Sequence, residues 1–254
     1  MTATAQILSR EGGVSIAYHR TAGRAPGIVF LGGFMSDMTG TKAVALEAWA
    51  RARGQAFLRF DYQGHGQSSG RFADGTIGIW SADALAALDA LTQGPQILVG
   101  SSMGGWIMLK CALARPQRVA ALVGIAAAPD FTTRMWDEMG AEARRAIERD
   151  GFYREPSQYS AEPYVITRAL IEDGARQRVL HQGPVPFDGP VRLLHGMADP
   201  DVPWQVSLEI QEKLRATDVE VMLVKDGDHR LSQPEDIQRL CRTLDALCDR
   251  LAAG

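Results

Sequence analysis

The chain has only three cysteines, Cys111, Cys241 and Cys248, among its 254 residues. They neither pair evenly nor stand at metal-ligand spacing, which excludes a disulfide framework and a cysteine-bound metal centre. Cys241 and Cys248 are seven apart in a helical pattern, two turns from each other. All three read as reduced core thiols, and that usage predicts a reducing, cytoplasmic compartment.

Excess charge is missing too. The formal net charge is -3 and no long run of one sign occurs, so the basic surface that nucleic-acid binding needs is not expected. No apolar stretch is long enough to span a bilayer, and MTATAQILSREGG lacks the basic and apolar regions of a secretory signal. Stable membrane insertion is therefore not expected. Repeats, low-complexity tracts and flexible Gly/Ser linkers are also absent.

What remains is 46% apolar residues arranged as short runs alternating with helical patterns. The runs at 27–33, 56–61, 96–101, 119–127, 191–196 and 219–224 have strand length. Most lack alternation, as expected of strands buried on both faces. Helices are predicted at 41–53, 76–92, 103–114, 204–215 and 234–251. In the last, Ile237, Leu240, Cys241, Leu244, Leu247, Cys248 and Leu251 follow one helix face, and Pro234, Glu235 and Asp236 suit its first turn. Segments 4–9 and 14–20 flank EGG as a hairpin. Alternating strands and helices predict an α/β fold with a mostly parallel sheet covered on both faces. The alternation lapses between 130 and 188, where two helical stretches near 133–150 and 162–180 and no strand are expected. This divides the chain into a core, 1–129 with 189–254, and a helical cap, 130–188, of the kind that forms lids.

Within ILVGSSMGGW, residues 97–106, Gly100-Ser101-Ser102-Met103-Gly104 fits G-x-S-x-G centred on Ser102. Ser101 cannot occupy the centre, since Val99 and Met103 would flank it. The motif follows a buried strand and opens a helix, the context a nucleophile elbow requires. Small neighbours permit the strained serine backbone, and the helix N-terminus favours developing negative charge.

A serine hydroxyl needs a base. Of five histidines, His19 lies in the hairpin, His65 in the glycine-rich turn DYQGHGQSSG, His181 in the cap, and His195 at a strand end where it is expected to bond locally. His229 alone is late in the chain and on a strand-end loop, as the order Ser, acid, His demands. The acid lies between them in HGMADPDVP. Asp199 is preferred, Asp201 suiting a first-turn role and Asp226 and Asp228 reading as turn formers. Oxyanion donors are expected from the backbone N–H of Met103 and from FLGGFMSDM, where Phe34 follows two glycines and Met35 is the alternative one residue on.

These features resemble the α/β-hydrolase superfamily over nearly the whole chain. GGFMSDMTGTKA, FLRFDYQGHGQSSG, GPQILVGSSMGGW, RLLHGMADPDVPW and DHR look like the mitochondrial abhydrolase-domain group of palmitoyl-protein thioesterases and acyl-glucuronide esterases. The resemblance implies an α/β-hydrolase fold, an eight-stranded, mostly parallel sheet with a helical cap after the sixth strand. It also implies cleavage of acyl thioesters and activated acyl esters, and a triad falling on Ser102, Asp199 and His229. Gly32-Gly33 stands where many hydrolases have His-Gly, which removes a side chain but not the backbone donor.

The expected activity is that of a serine esterase or thioesterase acting through an acyl-enzyme, with no metal or organic cofactor. Its partner is a small acyl ester or thioester, or an acylated protein. Carbon–carbon bond hydrolysis with the same triad and a non-catalytic ligand-binding role are the alternatives. In the cap, Phe131, Met135, Trp136, Met139, Phe152, Tyr153, Tyr159 and Tyr164 either wall an acyl pocket or dock the cap. Arg134, Arg144, Arg145 and Arg149 either meet an anionic substrate group or form a solvated helix face.

Overall fold

The computed structural model describes residues 4–156, 163–181 and 183–253. A hairpin of β1 (Gln6–Ser9) and β2 (Ser15–Thr21) leads into β3 (Arg24–Leu31). Then follow α1 (Thr41–Arg53), β4 (Gln55–Phe60), α2 (Ile77–Leu91), β5 (Gln96–Ser101), α3 (Met103–Ala114) and β6 (Val119–Ile125). An excursion holds α4 (Phe131–Glu138), α5 (Ala141–Asp150), β7 (Phe152–Glu155), β8 (Tyr164–Thr167) and α6 (Arg168–Gln177). The chain returns through β9 (Val191–Gly196), α7 (Gln205–Lys213), β10 (Val219–Val224) and α8 (Pro234–Ala253).

Eight strands form one sheet in the order β1-β2-β4-β3-β5-β6-β9-β10. Only the β1–β2 and β2–β4 pairings are antiparallel. The expected α/β-hydrolase sheet is thus what the chain forms. Every residue of β5 is buried, because helices cover both faces. On one face α2, α3 and α7 contribute Trp80, Trp106 and Ile210. On the other, α1 supplies Leu46 and Ala50, and α8 supplies Leu240, Leu244, Leu247 and Cys248. The predicted stripe of α8 is therefore the one that packs. The three cysteines are unpaired, and burial pushes the Cys111 thiol up to about 12.

The chain leaves β3 outward to β4 and re-enters on the other side of β3 at β5, so the strand order reverses there. Crevices at such switch points, outside the carboxyl ends of the strands, are where α/β sheets hold ligands. Registers Leu31↔Gly100, Ser101↔Ile125, Ile125↔Leu194 and Val224↔Gly196 bring five strand ends to this one edge.

The excursion between β6 and β9 departs from expectation. The stretch 133–150 is two helices, since Gly140 N-caps α5 and separates it from α4. Where no strand was expected, β7 and β8 pair antiparallel from Phe152↔Thr167 to Glu155↔Tyr164. FYRE and YVIT are short and rich in aromatic and β-branched residues, a signal that helical periodicity on either side obscures. Tyr159 lies outside the described residues. The excursion is closed at its base and tied to the rest of the fold. Asp130 accepts from the N–H groups of Val179 and Leu180 at 2.8 and 3.0 Å. The Gly78 N–H donates to Asp173 at 2.7 Å, and Lys110 Nζ to Gln177 Oε1 at 2.6 Å.

Candidate active site

Ser102 stands between β5 and α3 at φ 53°, ψ -118°, a region that costs a non-glycine residue on the order of 1–3 kcal/mol. Neighbouring strands hold it there. Its N–H donates to Ile125 O at 2.9 Å, and its C=O accepts from Gly105 and Ala128 at 2.8 and 3.0 Å. The turn closes only because side chains are missing. A Cβ on Gly104 would stand 2.0 Å from Leu31 O, and one on Gly105 2.4 Å from Ala127 Cβ. Helix α3 thereby starts directly against the ends of β3 and β6.

His229 follows β10 in a turn where the Leu231 N–H donates to Asp228 at 2.8 Å. Lys42 Nζ, on α1, holds the next carbonyl, that of Arg230. The Ser102 hydroxyl lies 3.1 Å from His229 Nε2, and His229 Nδ1 lies 2.8 Å from Asp199 Oδ2. Asp199 Oδ1 accepts from the N–H groups of Asp201 and Val202 at 2.8 and 2.9 Å. The Asp199 side chain is fully buried and that of His229 is 15% exposed. Burial alone would raise the Asp199 carboxyl. The hydrogen bonds from His195, His229 and Val202, with the charge of His229, outweigh it and hold the acid well below the usual carboxylate range. The Asp199 carboxyl thus stays ionised at neutral pH.

The sequence-predicted residues therefore divide as follows. Ser102, His229 and Asp199 come together, while Asp201 serves the turn that presents Asp199. Met103 N begins α3, where helical N–H groups lack intrahelical partners. Gly33 lies beside the serine, since a Cβ on it would be 3.4 Å from Ser102 Cβ. The Phe34 N–H that follows makes no hydrogen bond among the described residues. Met35 has φ 53° and is 37% exposed, and the Ser36 N–H turns back to Gly33 O at 3.1 Å.

The Phe34 ring makes edge contacts with Phe72 and Trp80 of the core at 4.8 and 5.9 Å. It makes two more with Phe131 and Tyr164 of the cap, both at 5.8 Å. Of the cap arginines, Arg149 pairs with Asp150, and Arg144 lies over the Trp136 ring and donates to Asp137 O. Arg134 lines a cavity of about 270 Å³ with Asp130, Asp137, Glu138 and Glu209.

Asp199, Asp201 and His229 bring ligand-type atoms within 4.8 Å of one another. The Asp199 oxygens, however, already face two imidazoles and two backbone N–H groups, and that donor set suits a hydrogen-bonded carboxylate better than a cation. One contact in it escaped the sequence. His195, fully buried, places Nε2 3.2 Å from Asp199 Oδ2. The four-residue spacing in HGMAD carried that signal, but only the backward curl of the loop after β9 makes it a contact.

The alpha/beta hydrolase family model matches residues 28–241. Palmitoyl-protein thioesterase ABHD10, mitochondrial, of Bos taurus is 45% identical over 247 residues, 97% of this chain and 80% of that protein. Its counterpart of the same name in Mus musculus is 45% identical over 251 residues, 98% of this chain and 84% of that protein. Among solved structures, alpha/beta hydrolase domain-containing protein 10 from mouse superposes with a TM-score of 0.91 at 44% identity, covering 98% of this chain and all of that one. Est1E from Butyrivibrio proteoclasticus, with a TM-score of 0.78 at 18% identity over 98% of each chain, shares the fold. The relatives' names overturn the cytoplasmic expectation, since they are called mitochondrial. Unpaired thiols report that disulfides do not form and cannot tell one reducing compartment from another. Among the described residues no helix is long and apolar enough to cross a membrane.

Proposed function

Given that the chain belongs to the alpha/beta hydrolase family and is an ester or thioester hydrolase, we propose that it works by acyl transfer to Ser102, with Asp199 and His229 as the other catalytic residues. The observation that carries this reading is the unbroken chain of hydrogen bonds from the Ser102 hydroxyl through His229 to the buried Asp199 carboxylate.

His229 Nε2 takes the Ser102 proton as Oγ bonds to the acyl carbon. The oxyanion accepts from the Met103 and Phe34 N–H groups, each such donor contributing about 3–4 kcal/mol in comparable sites. The bond from the acyl carbon to sulfur or oxygen then breaks, and the leaving group takes the proton from His229. Water repeats the sequence, freeing the acid and restoring Ser102. Asp199 orients the imidazole and stabilises its cation without being protonated.

The substrate class is an acyl thioester or activated acyl ester, with an S-palmitoylated protein as the physiological form that the relatives' name suggests. Residues 130–188 act as the lid, and Phe131 and Tyr164 meet the acyl chain where they touch Phe34. Labelling with a fluorophosphonate, followed by mass spectrometry, is expected to place the adduct on Ser102. An adduct on another residue, with none on Ser102, overturns the reading.

A further inference from the structure

The acid of the site is gripped by a second histidine that the mechanism above does not use. His195 is the last residue but one of β9, and its side chain and that of Asp199 are both fully buried. Its Nε2 lies 3.0 Å from Val202 O and 3.2 Å from Asp199 Oδ2, both acceptors. That nitrogen therefore carries the proton. Nδ1 is left to accept from the Ser207 hydroxyl of α7, 2.7 Å away, and Ser207 is itself buried.

The arrangement is directional. Ser207 fixes the tautomer of His195, so that the Nε2 proton, 3.0 Å from Val202 O, also lies beside Oδ2 at 3.2 Å, and Oδ2 is the oxygen that faces His229. The two backbone donors sit on Oδ1. Without His195, Oδ2 would be held by His229 alone, and the carboxylate could turn about the Oδ1 anchor. Packing cannot supply the missing restraint, because dispersion contacts are weakly directional whereas a charge-assisted hydrogen bond is not.

We propose that His195 is a positioning residue that acts through Asp199, with Ser207 behind it, to hold Oδ2 toward His229. The proposal rests on Asp199 being the acid of the triad. A group at this remove from the substrate leaves substrate binding alone and changes the rate at which the imidazole accepts its proton.

The test uses the full chain and a short p-nitrophenyl ester. His195→Leu is expected to lower kcat about 10- to 100-fold, the span of one hydrogen bond to a charged group, with KM unchanged. His195→Gln, whose amide nitrogen reaches the place of Nε2, is expected to recover most of the loss. Ser207→Ala, expected to fold even where His195→Leu does not, should lower kcat about 3- to 10-fold with KM unchanged. The downfield proton resonance of the His229–Asp199 hydrogen bond should weaken in the Leu variant and return in the Gln variant.

Asp199→Asn separates the two readings. If it lowers kcat strongly but measurably, adding His195→Leu should cost no more than about twofold, since residues acting through one another are not additive. Full activity in Asp199→Asn removes the triad reading itself. A strongly impaired Asp199→Asn beside wild-type kcat in His195→Leu and Ser207→Ala overturns the role of His195 alone. So does an undiminished further loss in the double variant.

Discussion

At the carboxyl edge of the sheet, a Cβ on Gly104 or Gly196 would meet backbone oxygen at 2.0 or 2.2 Å, whereas in the excursion between β6 and β9, the proposed cap, Gly140, Gly151 and Gly183 have nothing within 4 Å of that position. The edge is assembled by main chain touching main chain: α3 on β3, and the end of β9 on Gly227 in the loop that carries His229. The cap is held to the core by side chains reaching across, such as Asp173 to the Gly78 N–H and Lys110 to Gln177. Its one tight glycine, Gly174, meets a side chain, Thr132, where α6 crosses α4. A site needing sub-ångström placement sits on the first kind of construction, and a surface that adapts to a substrate suits the second. Substitutions at the edge should therefore damage chemistry, and substitutions in the cap should alter preference.

The largest effect belongs to Ser102, the proposed nucleophile. Ser102→Ala is expected to lower kcat by about 10⁵- to 10⁶-fold with stability kept, since alanine bears the same strained φ. Ester hydrolysis and urea unfolding, measured on one preparation, check both halves; undiminished hydrolysis would falsify the serine mechanism. Gly104→Ala probes the construction rather than the chemistry. With Leu31 O and Gly32 O in the way, α3 must retreat from β3, which should cost about 3 kcal/mol and lower kcat with it. Gly140→Ala in the cap is the contrasting variant, expected to change neither by more than about 0.5 kcal/mol.

The same contrast explains what could be read from the sequence. Ser102, Asp199 and His229 were legible because each sits on a loop directly after a strand, in a fixed chain order, with the glycines that the close approach demands nearby. The helix stripe of α8 was legible for a similarly local reason. The β7–β8 pair was not, because two four-residue strands lie among amphipathic helices whose period dominates any window. Neither was the grip of His195 on Asp199, which depends on how the loop curls rather than on residue type. The compartment failed for another reason: cysteine usage measures redox conditions, not address.

His65 sharpens the comparison from beneath the cap. It is 4% exposed, edge-on to Tyr62, Phe72 and Trp80, with Nδ1 3.2 Å from Gln63 O and Nε2 unpartnered among the described residues. Burial, opposed by the Gln63 carbonyl and the charge of Asp37, pushes its imidazole down to about 4. The unfolded chain then binds that proton first, below about pH 6.5. Stability should fall as the pH drops from 6.5 toward 4, by about 3 kcal/mol for this group, and level off below. Urea unfolding across that window should show the slope in the wild type and a flatter line in His65→Phe. The carboxylate Glu47 does not blur this window's upper part. Burial raises it, but its hydrogen bonds from Arg51, Arg59 and Thr21 hold it at about 2, so its loss begins only below about pH 4.5.

A smaller effect than that of His65 tests the cap as a selector. Phe131 touches the Phe34 ring from the cap side and Trp106 from the sheet side, while the Phe34 backbone stays on the core. Phe131→Ala should leave hydrolysis of p-nitrophenyl acetate within about threefold, because Ser102, His229, Asp199 and the Phe34 N–H keep their supports. For a palmitoyl ester or thioester, loss of an apolar wall worth about 1–2 kcal/mol of contact should raise KM about 10-fold. A chain-length series compares the two directly. An equal loss on acetyl and palmitoyl substrates would mean that the cap acts through the oxyanion loop, with Phe34 as the link, and that the division between a chemical edge and a selective cap does not hold at this residue.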